Sequence, residues 1–181
     1  MSGFPVGSVL TKHEIKRLIE EYKMIENYID LNKQLNEHGF DVTVGKVYEL
    51  SDYLVLDFDN SLRRLPKENE IEFNEIKICD KIVEGVVLES GTYVVELNEI
   101  VRLPKDVCAV ALPRSTLIRS GCTVFSAVWD AGYEGKGKLG LYVGNKAVIT
   151  KNARFAQMIF LKLTQYVDGY SGTYQGEGIK K

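Results

Sequence analysis

The sequence is poor in the residues that build disulfide frameworks and metal centres. It holds three cysteines in 181 residues, Cys79, Cys108 and Cys122. Their number is odd and none forms a C-x-x-C pair, which argues against a disulfide scaffold or a thiolate metal site. The two histidines, His13 and His38, are far apart with no ligand spacing around them, and read as ordinary helix and loop residues. No apolar run reaches the ~20 residues of a membrane span. The start, MSGFPVGSVLTKHEIKRL, lacks the basic-then-apolar pattern of a secretory signal. Neither sign of charge dominates: 23 basic residues stand against 25 acidic, a net charge of -2. A general nucleic-acid binder would carry a basic face. Neither nucleic acid nor membrane is therefore expected as a partner, a local positive pocket stays compatible, and the expected location is cytoplasmic.

What is present fits one domain with a hydrophobic core. The hydrophobic fraction, 45%, is ordinary for a globular chain. A helix is expected from Thr11, where TKHE makes a capping box and Ile15, Leu18, Ile19 and Tyr22 share one face. The period then changes to two. DVTVGKVYEL, YLVLDF, KIVEGVVL, TYVVEL, VCAVAL, KLGLYV and AQMIFLKL read as short strands separated by turn residues. Many short strands without intervening helices predict a β-sandwich or jelly-roll-like barrel. Residues 57–70, DFDNSLRRLPKENE, read as an inserted loop or hairpin. Residues 168–181, DGYSGTYQGEGIKK, hold four glycines and few aliphatic residues, which predicts a flexible tail. Its Tyr170 and Tyr174 are unusual for a spacer and suit a tail that orders over a ligand.

Four stretches carry chemical signal. AVWDAGYEGKG, residues 127–137, ends an apolar strand on the carboxylate of Asp130, just where small residues turn the chain. PRSTLIRSG, residues 113–121, sets Arg114, Ser115 and Thr116 beside free backbone N–H groups. That is either a phosphate cradle or a helix cap with Ser115 or Thr116 as N-cap, and the two are compatible. GFD places Asp41 at a strand start, which alone is nearly uninformative. In ARFAQMIF, period two puts Phe155, Gln157 and Ile159 on one face, so Gln157 is either a core hydrogen-bonder or a ligand contact. GKGKLG, residues 135–140, matches G-x-G-x-x-G, but the adjoining LYVGNKAVIT is β-like rather than helical, so it is not a dinucleotide fingerprint.

In order and spacing these segments resemble the trimeric dUTPase and dCTP deaminase family. HGFDVTV looks like its first motif, PRSTLIRSG its second, AVWDAGYEG its third and ARFAQMIF its fourth. SGTYQGEG stands where the fifth belongs, without the arginine of common dUTPases. The N-terminal helix and NYIDLNKQLNEHGFD are similar to the deaminase branch and to archaeal-type dUTPases. The resemblance implies a mainly β subunit, a jelly-roll-like β-clip over residues 1–167 with a short N-terminal helix, and a flexible tail over 168–181 that closes over the site. It implies a homotrimer with sites between subunits, dUTP as substrate, and Mg²⁺ held mainly by the substrate phosphates. Asp130 would activate the water. The backbone around Ser126, Ala127 and Val128 would read the base, and Tyr133 would pack on the deoxyribose. Arg114, Ser115 and Thr116 would hold phosphates, and Gln157 would contact or brace them. Asp41 would orient metal-bound waters, Tyr174 would cover the base when the tail closes, and Gln175 would contact the substrate.

Within the family the choice lies between dUTP hydrolysis and deamination of dCTP, or both. The proton-shuttling glutamate of the deaminases would fall at Gly140, while Ser115 and Arg119 match other deaminase-associated groups. dUTP hydrolysis is favoured. A non-catalytic nucleotide-binding regulator on the same fold is the further alternative, and Asp130 discriminates against it.

Overall fold

The computed structural model describes residues 8–179. In chain order the elements are α1 (Lys12–Tyr22), β1 (Ile25–Glu26), α2 (Leu31–Gln34), β2 (Leu35–Asn36), β3 (Gly39–Ser51), β4 (Lys67–Ile71), β5 (Asn74–Ile78), β6 (Lys81–Leu88) and β7 (Gly91–Leu97). They continue with β8 (Ile100–Arg102), β9 (Val107–Pro113), α3 (Ser115–Arg119), β10 (Cys122–Phe125), β11 (Glu134–Gly135), β12 (Lys138–Val143), β13 (Ala147–Thr150) and β14 (Arg154–Lys162). The molecule is mainly β, with a barrel-like sheet and a short N-terminal helix.

The main sheet runs β10-β12-β7-β3-β14-β9, with β2 and β4 also paired to β3. Two three-stranded sheets, β1-β8-β11 and β13-β6-β5, flank it. β3 bends the architecture. Its first part pairs with β14 and its second with β7 and β4, with a register shift between Val44 and Lys46. Such an irregularity turns a strand from one sheet face to another. The core collects where the inward positions of these strands meet: Phe40, Val42, Val44, Leu97, Met158 and Phe160 are all buried.

α1 starts as its sequence dictates. The Glu14 carboxylate accepts from the Thr11 backbone N–H at 2.9 Å and from the Thr11 hydroxyl at 3.0 Å. Ile15 and Ile19 are buried, whereas Tyr22 is exposed. The helix therefore docks on a narrower face than its periodicity suggests. All three cysteines are free, and among the described residues no helix is long and apolar enough to cross a membrane.

Three expectations are corrected. YLVLDF is not a strand: only Val55 bridges, to Arg64, and Leu54, Leu56 and Phe58 are exposed. The segment instead forms a compact loop in which the Asp57 carboxylate accepts from the Ser61 hydroxyl at 3.0 Å and from Leu62 N–H at 2.8 Å. Its continuation, Lys67–Ile71, is a strand, so β3 and β4 make a long hairpin. Neither Ser115 nor Thr116 is an N-cap: Arg114 occupies that position, with no side-chain cap hydrogen bond. In β14 the register shift between Arg154 and Ala156 changes the facing. Ala156, Met158 and Phe160 point into the core, and Gln157 and Ile159 lie on the half-exposed face.

Candidate functional site

The carboxylate of Asp130 owes its place to the strand before it. Trp129 is buried and exchanges both backbone hydrogen bonds with Ala109 of β9, at 2.9 and 2.8 Å. The chain then reverses: Tyr133 N–H donates to Asp130 C=O at 3.1 Å, and Gly132 sits at φ +83°, a conformation that favours glycine. Asp130 is left exposed beyond the buried indole, and among the described residues no protein group bonds its carboxylate. It opens on a cleft of about 450 Å³ whose near wall includes Ala127, Val128 and Tyr133. Leu65, Glu68 and Lys138 also line it, together with Tyr174 and Glu177 of the tail.

The segment before Asp130 is held by its own serine. Ser126 Oγ accepts from Ala111 N–H at 3.2 Å and donates to Ala127 C=O at 2.6 Å. Its hydroxyl is thus spent on the backbone. Val128 N–H and C=O take no backbone partner among the described residues, so the chain here offers a free donor and a free acceptor. Tyr133 is buried in an aromatic stack, edge-on to Trp129 at 5.2 Å and to Tyr170 at 5.8 Å. Its hydroxyl has no partner among the described residues, and burial pushes its pKa well above the ordinary phenol value.

The tail is docked in this structure. Tyr170 N–H donates to Ala131 C=O at 2.8 Å, Gly176 N–H to Glu134 C=O at 2.8 Å, and Lys136 N–H to Glu177 C=O at 2.7 Å. Gln175 does not face the cleft. Its amide clasps the turn, accepting from Glu134 N–H and donating to Gly132 C=O, both at 3.0 Å. Gly132 also lets the chain at Gly169 approach closely, since a Cβ there would lie 2.8 Å from Gly169 Cα. Glu177 reaches Lys138 at 3.8 Å, and Lys138 pairs more closely with Glu68 at 2.6 Å. Burial pushes the Glu177 carboxyl up and Lys138 pulls it back. Lys180 and Lys181 lie outside the described residues.

A second cluster forms elsewhere. Asp41 on β3, Arg154 on β14 and Arg114 at the start of α3 meet although far apart in sequence. Asp41 Oδ2 lies 3.0 Å from Arg114 Nε and 3.3 Å from Arg154 Nη1, and its Oδ1 accepts from Asn36 Nδ2 at 2.9 Å. Burial pushes the Asp41 carboxyl up, against the pull of the two guanidiniums and Asn36. Gln157 stands directly opposite Asp41 in the β3–β14 register. Ser115, Thr116 and Arg119 follow on α3 and are not buried. Sequence reading left Arg154 without a role and gave Asn36 no mention; only the strand register brings them to Asp41.

The two clusters are apart in one subunit. The 126–130 segment runs antiparallel to β9, with Trp129 opposite Ala109 and Ser126 bonded near Ala111. Arg114 lies five residues beyond Ala109, about 16 Å along an extended chain. Gly140 pairs with Phe125 across β12 and β10, and a Cβ at 140 would stand 3.0 Å from the Phe125 ring. No carboxylate projects there. Both Asp41 oxygens already accept from cationic or amide donors. Among the described residues no group of three or more His, Cys, Asp or Glu could hold a metal ion.

A family model described as dCTP deaminase-like matches residues 9–163. The chain is 44% identical over 174 residues to a protein of Archaeoglobus fulgidus named probable deoxyuridine 5'-triphosphate nucleotidohydrolase, covering 95% of this chain and 98% of that one. A protein of Methanococcoides burtonii with the same name is 42% identical over 177 residues, 95% and 99% of the two chains. Among solved structures, a 2'-deoxycytidine 5'-triphosphate deaminase from Agrobacterium tumefaciens superposes with a TM-score of 0.64 at 21% identity. That match covers 87% of this chain and 49% of the deaminase chain, and it shows a shared fold.

Proposed function

The chain belongs to the dCTP deaminase-like family, and on that premise we propose that it is a dUTP pyrophosphatase, converting dUTP and water to dUMP and pyrophosphate. One observation carries the reading: Asp130 presents an exposed carboxylate, unbonded among the described residues, at the mouth of a cleft with free backbone at Val128. Such a carboxylate can orient a water and accept its proton as the oxygen attacks the α-phosphorus. The new bond joins that oxygen to the α-phosphorus, the α–β bridge breaks, and pyrophosphate leaves with the bridging oxygen. The proton on Asp130 then returns to solvent.

The backbone of Ala127 and Val128 is placed to meet the pyrimidine edge, and Tyr133 the sugar. The Tyr133 ring is covered by Tyr170 here, so tail movement belongs to this reading, with Tyr174 as the part that closes over the base. Arg114 with Ser115 and Thr116, and Gln157 beside them, would hold phosphates. Because that cluster is remote from Asp130 within one subunit, a neighbouring copy supplies it, in a homotrimer. Leu112, Ile118, Phe125 and Val128 are 50%, 55%, 55% and 61% exposed, apolar surface suited to burial between copies. Mg²⁺ would arrive on the triphosphate as part of the substrate, since the described residues offer no cluster to hold it. A cytoplasmic location accords with a nucleotide substrate and three free cysteines.

Deamination of dCTP is the second reading, favoured by the family description and by Ser115 and Arg119. Against it stands Gly140, which has no side chain to carry a proton at the position where the deaminase pattern has a glutamate. A regulator without catalysis would not need the free carboxylate of Asp130. The test of the mechanism is isotopic. Hydrolysis of dUTP in ¹⁸O-water should give dUMP carrying one ¹⁸O and unlabelled pyrophosphate. Label in pyrophosphate, or no turnover of dUTP, contradicts it.

A further inference from the structure

Lys138 is the only lysine or arginine among the described residues that line the Asp130 cleft, beside the carboxylates of Glu68, Asp130 and Glu177. Three acids against one base suit that lining to the uncharged part of a nucleotide rather than to its phosphates. A packing exchange brings Lys138 there. Gly137 has no side chain, and the Trp129 indole takes the room: a Cβ at 137 would overlap that ring. The start of β12 therefore packs against the Val128–Asp130 stretch, where Val128 N–H and C=O take no backbone partner among the described residues. Lys138 is also held in place. Its side chain is 22% exposed, its Nζ donates to Glu68 Oε2 at 2.6 Å, and it lies 4.9 Å from the centroid of the Tyr48 ring. Glu177 stands 3.8 Å away, outside hydrogen-bonding distance. An ammonium has three N–H donors and no acceptor. With Glu68 taking one, Lys138 keeps donors for a ligand in the cleft.

We propose that Lys138 determines the choice of base: its ammonium donates to the carbonyl oxygen at C4 of uracil and rejects the amino group that cytosine carries there, with Glu68 as the residue that positions it. The inference rests on the dUTP reading and deepens it. The exocyclic oxygen of uracil is an acceptor, and the amino group of cytosine is a donor. Two donors facing each other leave both without an acceptor, and a site built to hydrogen-bond one group discriminates strongly against an analogue that cannot answer it. In β12 the half-buried positions Lys138 and Gly140 alternate with buried Leu139 and Leu141, so they share a strand face. That face presents an ammonium at 138 and no carboxylate at 140.

The test is calorimetric titration of the intact protein, with Mg²⁺, by three deoxynucleoside triphosphates whose α–β bridge is an imido group that resists hydrolysis. Their bases are uracil, cytosine and 2-pyrimidinone, which carries only hydrogen at C4. The parent should bind the uracil analogue about tenfold or more tighter than the 2-pyrimidinone analogue, the usual worth of a hydrogen bond to a charged group, and the cytosine analogue most weakly. Lys138→Met should lose most of the difference between uracil and 2-pyrimidinone. Lys138→Arg, which keeps a donor-only cation beside Glu68, should retain the parent's order of the three. Glu68→Gln should lower affinity for the uracil analogue more than for the 2-pyrimidinone analogue, because it releases the ammonium from its anchor. Equal affinity of the parent for uracil and 2-pyrimidinone analogues would overturn the inference without recourse to any variant. So would Lys138→Met weakening all three ligands alike, the mark of a merely structural role. Parent-like ratios in Lys138→Met, with dUTP still hydrolysed, would overturn this inference and spare the dUTP reading. Preference of the parent for the cytosine analogue would overturn both.

Discussion

Asp130 and Glu99 illustrate what two carboxylates become in different surroundings. Asp130 is set outside the fold by Trp129, exposed and bonded by no protein group among the described residues. Asp130→Asn should keep the fold, since asparagine also suits turns, and should lower single-turnover hydrolysis of dUTP by roughly 10²–10⁴ with little change in nucleotide affinity. Parent-like single-turnover rates would remove Asp130 from the role of base. Glu99 is fully buried. It accepts from Thr43 N–H at 3.0 Å, from the Thr43 hydroxyl at 2.6 Å and from Gln34 Nε2 at 2.7 Å. Burial pushes its carboxyl above the ordinary value of 4.5, and the hydrogen bonds pull it only part of the way back. The folded state therefore holds this proton more tightly than the unfolded state. Its contribution is complete below pH 4.5 and is lost as pH rises through the raised folded value. Glu99→Gln should flatten that part of the stability profile. It should also cost about 1–3 kcal/mol at pH 5, because the amide cannot accept from every donor now facing the carboxylate. Urea melts across pH 4–8 check both. Parallel profiles for parent and variant would show that Glu99 does not titrate as its burial implies.

At the scale of elements, the tail and the β3–β4 hairpin decide how the cleft is covered. The tail is held by Gln175 on the 132–134 turn and touches the hairpin loop through Arg63, which donates to the Thr173 hydroxyl at 3.1 Å. Gln175→Ala should free residues 170–177 without unfolding the sheets. Hydrogen exchange of that segment should quicken by about tenfold, as expected for losing bonds worth ~1 kcal/mol each, while exchange in β3 and β14 stays as in the parent. Unchanged exchange in the tail would mean that Gln175 is not its clasp. The elements were unequally legible in the sequence. Period-two runs marked β3, β6, β7, β9, β12 and β14, because alternate burial writes itself into residue choice. β4 and β5, KENEI and NEIKI, are mostly exposed, so charge hid their pairing. YLVLDF misled in the opposite direction: it has strand composition, yet local hydrogen bonds from Asp57 hold it as a loop.

Across the whole molecule, the family motifs marked the residues but not their arrangement. Asp130, Ala127, Val128, Tyr133 and Tyr174 come together at one cleft, while Asp41, Arg114 and Gln157 come together at another place. That division depends on strand register, which no local pattern contains. It carries a direct consequence for assembly. In the proposed trimer with sites between copies, Asp130→Asn and Arg114→Gln variants, each nearly inactive alone, should recover activity when unfolded, mixed and refolded together, because mixed trimers would hold some sites with both residues intact. Absence of recovery, with mixed trimers demonstrated by mass spectrometry, would place both residues of a site in one subunit. The bare Gly140, with the Phe125 ring against it, bears on the central choice between the two reactions of the family. Chromatography of products from the parent protein with Mg²⁺ and either dUTP or dCTP as the sole nucleotide tests that choice most directly. dUTP should give dUMP and pyrophosphate, and dCTP should release no ammonia. Formation of dUTP or dUMP from dCTP, at a rate comparable to dUTP hydrolysis, would contradict it.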